Sequence, residues 1–165
     1  MTGITSSTAR PLTVFLDLQL RFDPATRRAD LALGADGDLV MDLTAITPIL
    51  ISLGSDRRAG PDDPLPSGRA DLNAGGSVVI RRGWPGDALD DRGRRIGSRL
   101  WLLERAKQDE ITRRMAEIWI AEALAWAEPE TGRPAEIEVD WVRRGVLAFR
   151  ALVADAEVTL TRGVG

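Results

Sequence analysis

The chain has 165 residues, of which 44% are hydrophobic and 28% charged, with a formal net charge of −3. That length suits one domain with a real core, and so small a charge excludes the basic footprint of a nucleic-acid binder. Cysteine and histidine are both absent, which removes disulfides, thiol nucleophiles, zinc–thiolate sites and every Ser-His-Asp arrangement.

Tyrosine is also absent, and one lysine, Lys107, stands against 21 arginines. Carboxylates, hydroxyls and arginines are therefore the groups left for chemistry. No apolar run approaches the roughly 18 residues that a membrane span needs. Residues 1–10 are polar and rich in threonine and serine, without the pattern of a secretory signal, and are expected to be a flexible tail. Residues 11–165 are expected to form a single domain.

In chain order, Val14 to Asp23 alternates with period two: Leu16, Leu18, Leu20 and Phe22 on one face, Asp17, Gln19, Arg21 and Asp23 on the other. That is the pattern of a half-buried strand. Ala29 to Leu33 predicts a second strand, making a hairpin across the Asp23-Pro24 turn, and Ala35 to Asp38 has turn chemistry. Thr47-Pro48 predicts a helix start, with Thr47 as cap, carrying Ile49, Leu50, Ile51 and Leu53 to a stop near Gly54.

From Ala59 to Asp91 the chain is rich in Gly, Pro and Asp, with Asn73 to Ser77 read as a turn and Ser77 to Ile80 as its one strand-like piece. A loop this long in a compact domain is functional or disordered. Ile96 to Gln108 predicts a helix aligning Ile96, Leu100, Leu103 and Lys107, with Trp101 and Leu102 on its flanks. A second helix is expected from Asp109 to Ala127. Ile111, Met115, Ile118, Trp119, Ala123 and Trp126 share one side of it, an arc wider than a core seam needs. Pro129 and Gly132 close it. Ala135 to Trp141 alternates again, with Ile137, Val139 and Trp141 inward; Arg143-Arg144-Gly145 turns, and Val146 to Val153 and Glu157 to Thr161 follow as strand, bent near Asp155. Strands at both ends with helices between predict an α+β fold: a small, mainly antiparallel sheet, helices packed on one face, and a long ordered loop in the middle.

The candidate residues cluster around that loop. Arg57, Arg58, Arg81 and Arg82 face a supply of carboxylates in Asp56, Asp62, Asp63 and Asp87. Bidentate arginine–carboxylate pairs would tie the loop into a fixed shape, with Trp84 as an apolar anchor. Trp and Arg dominate interface energies, so this loop, together with Arg99 and Trp101 in the helix that follows, is read as a docking and structural element. The competing readings are a solvated loop with its charges in water, and a carboxylate hydrolase with Glu104 as acid opposite Asp62, Asp63 or Asp87. Pairs of acids arise readily by chance among 25 acidic residues, and Glu104 serves equally well as the partner of an arginine. No catalytic residue and no cofactor is expected. No metal is expected either, since the prolines around Asp62-Asp63 restrict wrapping round an ion.

Five pieces in order carry a resemblance: Leu50-Ile51-Ser52-Leu53, Asp56-Arg57-Arg58-Ala59, Asp62-Asp63-Pro64-Leu65-Pro66, Arg82-Gly83-Trp84-Pro85-Gly86-Asp87 and Ile96-Gly97-Ser98-Arg99-Leu100-Trp101-Leu102-Leu103. With Arg143-Arg144-Gly145 and the ending Val158-Thr159-Leu160-Thr161-Arg162, they resemble the Mu-like phage baseplate wedge family from Leu39 to Arg162. The chain departs from that pattern at Pro85, where a second aromatic is common, and over Ser67 to Ile80, which is longer than usual. The resemblance implies a non-enzymatic wedge subunit of a contractile tail, similar to sheath initiators. Its partners would be other wedge subunits, the central hub or spike and the tail sheath protein, with no nucleic acid and no membrane. Such a subunit assembles in the host cytoplasm and ends in the virion baseplate. A free-standing adaptor domain is the remaining alternative.

Overall fold

The computed structural model describes residues 15–23, 25–26, 28–68 and 78–165. The expected tail over residues 1–10, Val14, and the turn Asn73 to Ser77 lie outside them, as do the side chains of Leu20 and Phe22. Strands β1 (Asp17–Leu18), β2 (Leu20–Asp23), β3 (Arg28–Leu31) and β4 (Met41–Asp42) build an N-terminal arch. Here β1 pairs with β4 and β2 with β3, all antiparallel. At the C-terminal end β5 (Glu136–Arg143), β6 (Val146–Val153) and β7 (Ala156–Gly163) form an antiparallel meander in sequence order. The expected α+β class holds, with the strands of the two ends in separate sheets.

The meander follows its alternation. Val139, Leu147, Phe149, Ala151, Val153, Ala156 and Val158 are buried on its inner face. Outside, Arg150 bridges Glu138 at 3.3 Å and Glu157 at 2.7 Å across the strands. The bend expected near Asp155 is a two-residue turn, in which Ala154 takes a positive φ of 56°. Helix α3 (Glu110–Ala123) covers the inner face. Asp109 caps it by accepting from the Thr112 amide at 2.8 Å, and the indole N–H of Trp141 donates to the Asp109 carbonyl at 3.3 Å.

Four expectations about helices need correction. Helix α1 (Ile46–Gly54) starts before Thr47. The Asp42 carboxylate accepts from Thr44 through its amide and its hydroxyl (2.9 and 2.7 Å), and that turn delivers the chain into the helix. Pro48 then lies in the first turn, where an amide would have no partner in the helix. Residues Val78–Arg81 form a single helical turn, α2, rather than a strand; β-branched propensity is too weak to make a strand without a ladder to join.

The segment expected as a helix from Ile96 is a 3-10 helix confined to Arg99–Arg105. Ser98 is already committed to a parallel bridge with Asp56, and Leu100, Trp101, Leu102 and Leu103 are all buried, so the expected one-sided pattern does not apply. Last, the Asp109 to Ala127 helix breaks at Leu124 and resumes as α4 (Ala127–Thr131), which Gly132 ends in the left-handed region. The buried stripe of α3 is Thr112, Ala116, Trp119, Ile120 and Ala123. Ile111 and Ile118, which share the broad apolar side of the helical wheel, are exposed: the wide apolar arc has one edge in the core and the other in solvent.

Candidate functional site

The loop from Ser55 to Ser98 is held at its base by main chain. Arg57 donates its amide to the Ser98 carbonyl and Ser98 donates to the Ser55 carbonyl, each at 2.9 Å. Gly97 permits this approach: its φ is +90°, and a Cβ there would stand 2.6 Å from the Ser55 carbonyl oxygen. Further out, Ala59 donates to the Arg81 carbonyl at 2.9 Å, and the Arg81 guanidinium donates back to the carbonyls of Gly60 and Pro61.

Two ion-pair networks lock the loop onto the body. In the first, Arg82 donates to Asp56 at 2.9 Å and to both oxygens of Glu104 at 2.9 and 3.0 Å. Its guanidinium lies 4.4 Å above the ring of Trp101, a cation–π contact. Arg162, from the inner face of β7, reaches Glu104 at 3.6 Å. Burial pushes the Arg162 guanidinium down from its ordinary range. Burial also draws Arg82 down, but hydrogen bonds to Glu104 and Asp56 outweigh it and the net shift is upward. In the second network, Arg99 donates to both oxygens of Asp63 at 3.1 Å and to Glu122 on α3 at 2.8 and 3.0 Å. Arg57 stands 3.7 Å from the same Glu122. Asp63 also accepts from the Gly60 amide at 2.7 Å, closing the turn around Pro61.

The structure thus divides the predicted residues. Asp56, Arg82, Asp63 and Arg99 lie inside the networks, with Arg57 at their margin. Trp101 is buried, donating its indole N–H to the Arg57 carbonyl at 2.9 Å, so it anchors the loop from below. Trp84, expected to be that anchor, is 52% exposed. Its ring folds back over Gly86, where a side chain would collide with it. Arg58, Arg82, Trp84, Asp87 and Arg95 line an open cleft of about 320 Å³. Asp87 accepts from the Ile96 amide at 3.0 Å while its other oxygen is buried without a partner. Asp62 is exposed. Sequence reasoning missed Glu122 and Arg162, which join the networks from 23 and 58 positions beyond Arg99 and Glu104. No periodicity links such distant charges.

For catalysis the geometry is unfavourable. Glu104 spends both carboxylate oxygens on Arg82, and of the acids weighed opposite it Asp63 is held in the other network by Arg99, Asp87 accepts from the Ile96 amide and Asp62 is exposed. Among the described residues no group of three or more Asp and Glu side chains is placed to hold a metal ion, and no helix is long and apolar enough to cross a membrane.

The model of one family, phage protein GP46, matches residues 45–164, from the entry to α1 through β7. The chain belongs to the phage protein GP46 family. Baseplate protein gp46 of Escherichia phage Mu is 42% identical over 113 residues, which make up 68% of this chain and 68% of the relative. No solved structure matches the chain. The resemblance drawn from the five ordered pieces is thereby shown, and the GP46 match contains both ion-pair networks while leaving out the N-terminal arch.

Proposed function

We propose that this chain is a structural subunit of a phage tail baseplate, a wedge component that helps initiate sheath assembly. One observation carries the reading: a 42% identical relative is a baseplate protein, and the matched segment ties the described flanks of a long loop to the body by hydrogen bonds and ion pairs while offering a half-exposed tryptophan. A loop fixed in advance loses little entropy on docking, and aromatic anchors carry much of an interface's energy. Arg58 and Arg82 line the same cleft as Trp84, while Arg81 holds the Gly60 and Pro61 carbonyls and Arg57 and Arg99 reach Glu122. The partners in this reading are other wedge subunits, the central hub or spike and the tail sheath protein. β5 and β7 are the outer strands of the meander, and their edges suit main-chain pairing with a sheath strand. The subunit is non-enzymatic, assembles in the host cytoplasm and ends in the virion tail.

Trp84→Ala tests the docking role. The isolated subunit should keep its fold and its melting temperature to within a few degrees. Incorporation into tail particles, measured by quantitative mass spectrometry of purified particles, should fall on the scale of a hot-spot loss, roughly 2 kcal/mol or more. Normal incorporation and particle yield would remove Trp84 from the interface.

A further inference from the structure

The two ends of the C-terminal meander carry opposite charge. The register sets Glu136 against Leu152 and Leu152 against Glu157, and Asp155 lies in the turn between β6 and β7, so these three acids share one end. All three are exposed. Glu157 and the neighbouring Glu138 share Arg150, while among the described residues neither Glu136 nor Asp155 takes part in an ion pair. At the other end Arg143 pairs with Val146 in the ladder, and Arg144 lies in the turn between them. The Gly145 amide donates to the Gln108 side chain at 3.0 Å, which brings Lys107 to that end, with Arg105 two residues before it. Arg105, Lys107, Arg143 and Arg144 are all exposed, and none takes part in an ion pair among the described residues. The acids nearest to them are already engaged. Asp109 caps α3, Glu110 holds Arg113 and Arg114, and Glu104 holds Arg82 and Arg162.

The two sets cannot satisfy each other within one chain. Strand β5 runs from Glu136 to Arg143 between them, roughly 24 Å at about 3.4 Å per residue. That is about three screening lengths at physiological salt. A second copy offers each set its complement. Two basic ends or two acidic ends repel, so the charges disfavour a two-fold contact through either end and favour an unlike one. We propose that copies of this chain associate head to tail, with the Lys107, Arg143 and Arg144 end of one meander against the Glu136, Asp155 and Glu157 end of the next. Such a contact is heterologous: each copy added leaves one end of each sign free, so copies build a closed ring or an open row. The patches fall well short of the roughly 20–30 residues a side of a standard interface. The contact is therefore weak in dilute solution and gains strength where copies are held close together. Both ends lie inside the matched residues 45–164, away from the Trp84 cleft, and the inference does not depend on the baseplate reading.

Lys107 is the only lysine of the chain, which makes the test specific. A carbodiimide joins an amine to a carboxylate in direct contact, and Lys107 cannot reach Glu136, Asp155 or Glu157 of its own copy. A concentrated mixture of isotopically light and heavy chains at low salt should give light–heavy peptides joining Lys107 to one of those acids. Raising the ionic strength from about 0.01 M to about 1 M cuts the screening length from about 30 Å to about 3 Å and should abolish the link. The double variant Arg143→Glu, Arg144→Glu, checked for an unchanged melting temperature, should lose it as well. Lys107 linked only to carboxylates of its own copy, or linked across copies only to other acids, would overturn the proposal. A link that persists in high salt or in the folded double variant would overturn it too. The salt comparison uses the unaltered chain, so the test stands even where the variant fails to fold.

Discussion

Gly97 shows how much of the loop depends on a single backbone position. With φ at +90° and the Ser55 carbonyl in the way, Gly97→Ala should cost at least about 1–3 kcal/mol. The loss should appear in urea titration, with faster amide exchange at Arg57 and Ser98. Glu110 sets a pH dependence at the same scale. Hydrogen bonding from Arg113, with help from Arg114, holds its carboxyl from its usual 4.5 down to about 2. A carboxyl depressed by folding contributes stability that is full above its unfolded value and lost as pH falls through the folded one. Thermal melts should therefore decline between about pH 4.5 and 2, and Glu110→Gln should lower the neutral-pH melting temperature while flattening that decline. An unchanged acid limb would mean that the Arg113 pairing adds nothing in solution.

At the level of elements, the meander was legible because one sheet face meets the core and the other meets water. Its alternation of Ile137, Val139 and Trp141 with acids is an unambiguous period of two. Helix α3 was legible in its start at Asp109 but not in its break at Leu124 or in its orientation. Ile111 and Ile118 are as apolar as Ile120, and only packing against β5 and the 3-10 helix decides which stripe goes inside. The difference is measurable: Trp119→Ala should cost about 3–5 kcal/mol, being nearly fully buried, whereas Ile118→Ser should stay within about 0.5 kcal/mol. A large loss at Ile118 would mean that this edge of the helix is covered even in the isolated chain. The 3-10 helix was misread for a different reason: Leu100 to Leu103 are all buried, and a run buried on every side carries no period. In the N-terminal arch the run expected as one strand is divided between two ladders, β1 with β4 and β2 with β3, and Leu16 and Leu18, expected on its buried face, are exposed.

For the whole molecule, the loop's composition announced arginine–carboxylate ties, and Arg82 with Asp56 is one of them. The rest of the site was not legible because its partners come from far along the chain: Glu122 from α3, Arg162 from the last strand, and Glu104, the suspected acid, which is a clamp on Arg82. These contacts tie loop, helix and sheet together and leave Trp84 facing outward. An electron-microscopy reconstruction of the tail particle containing this chain tests that arrangement most directly. The account predicts the subunit in the baseplate, the ion pairs of Arg82 and Arg99 kept and Trp84 covered by another chain. A reconstruction with Trp84 facing solvent, or with the chain absent from the baseplate, would contradict it.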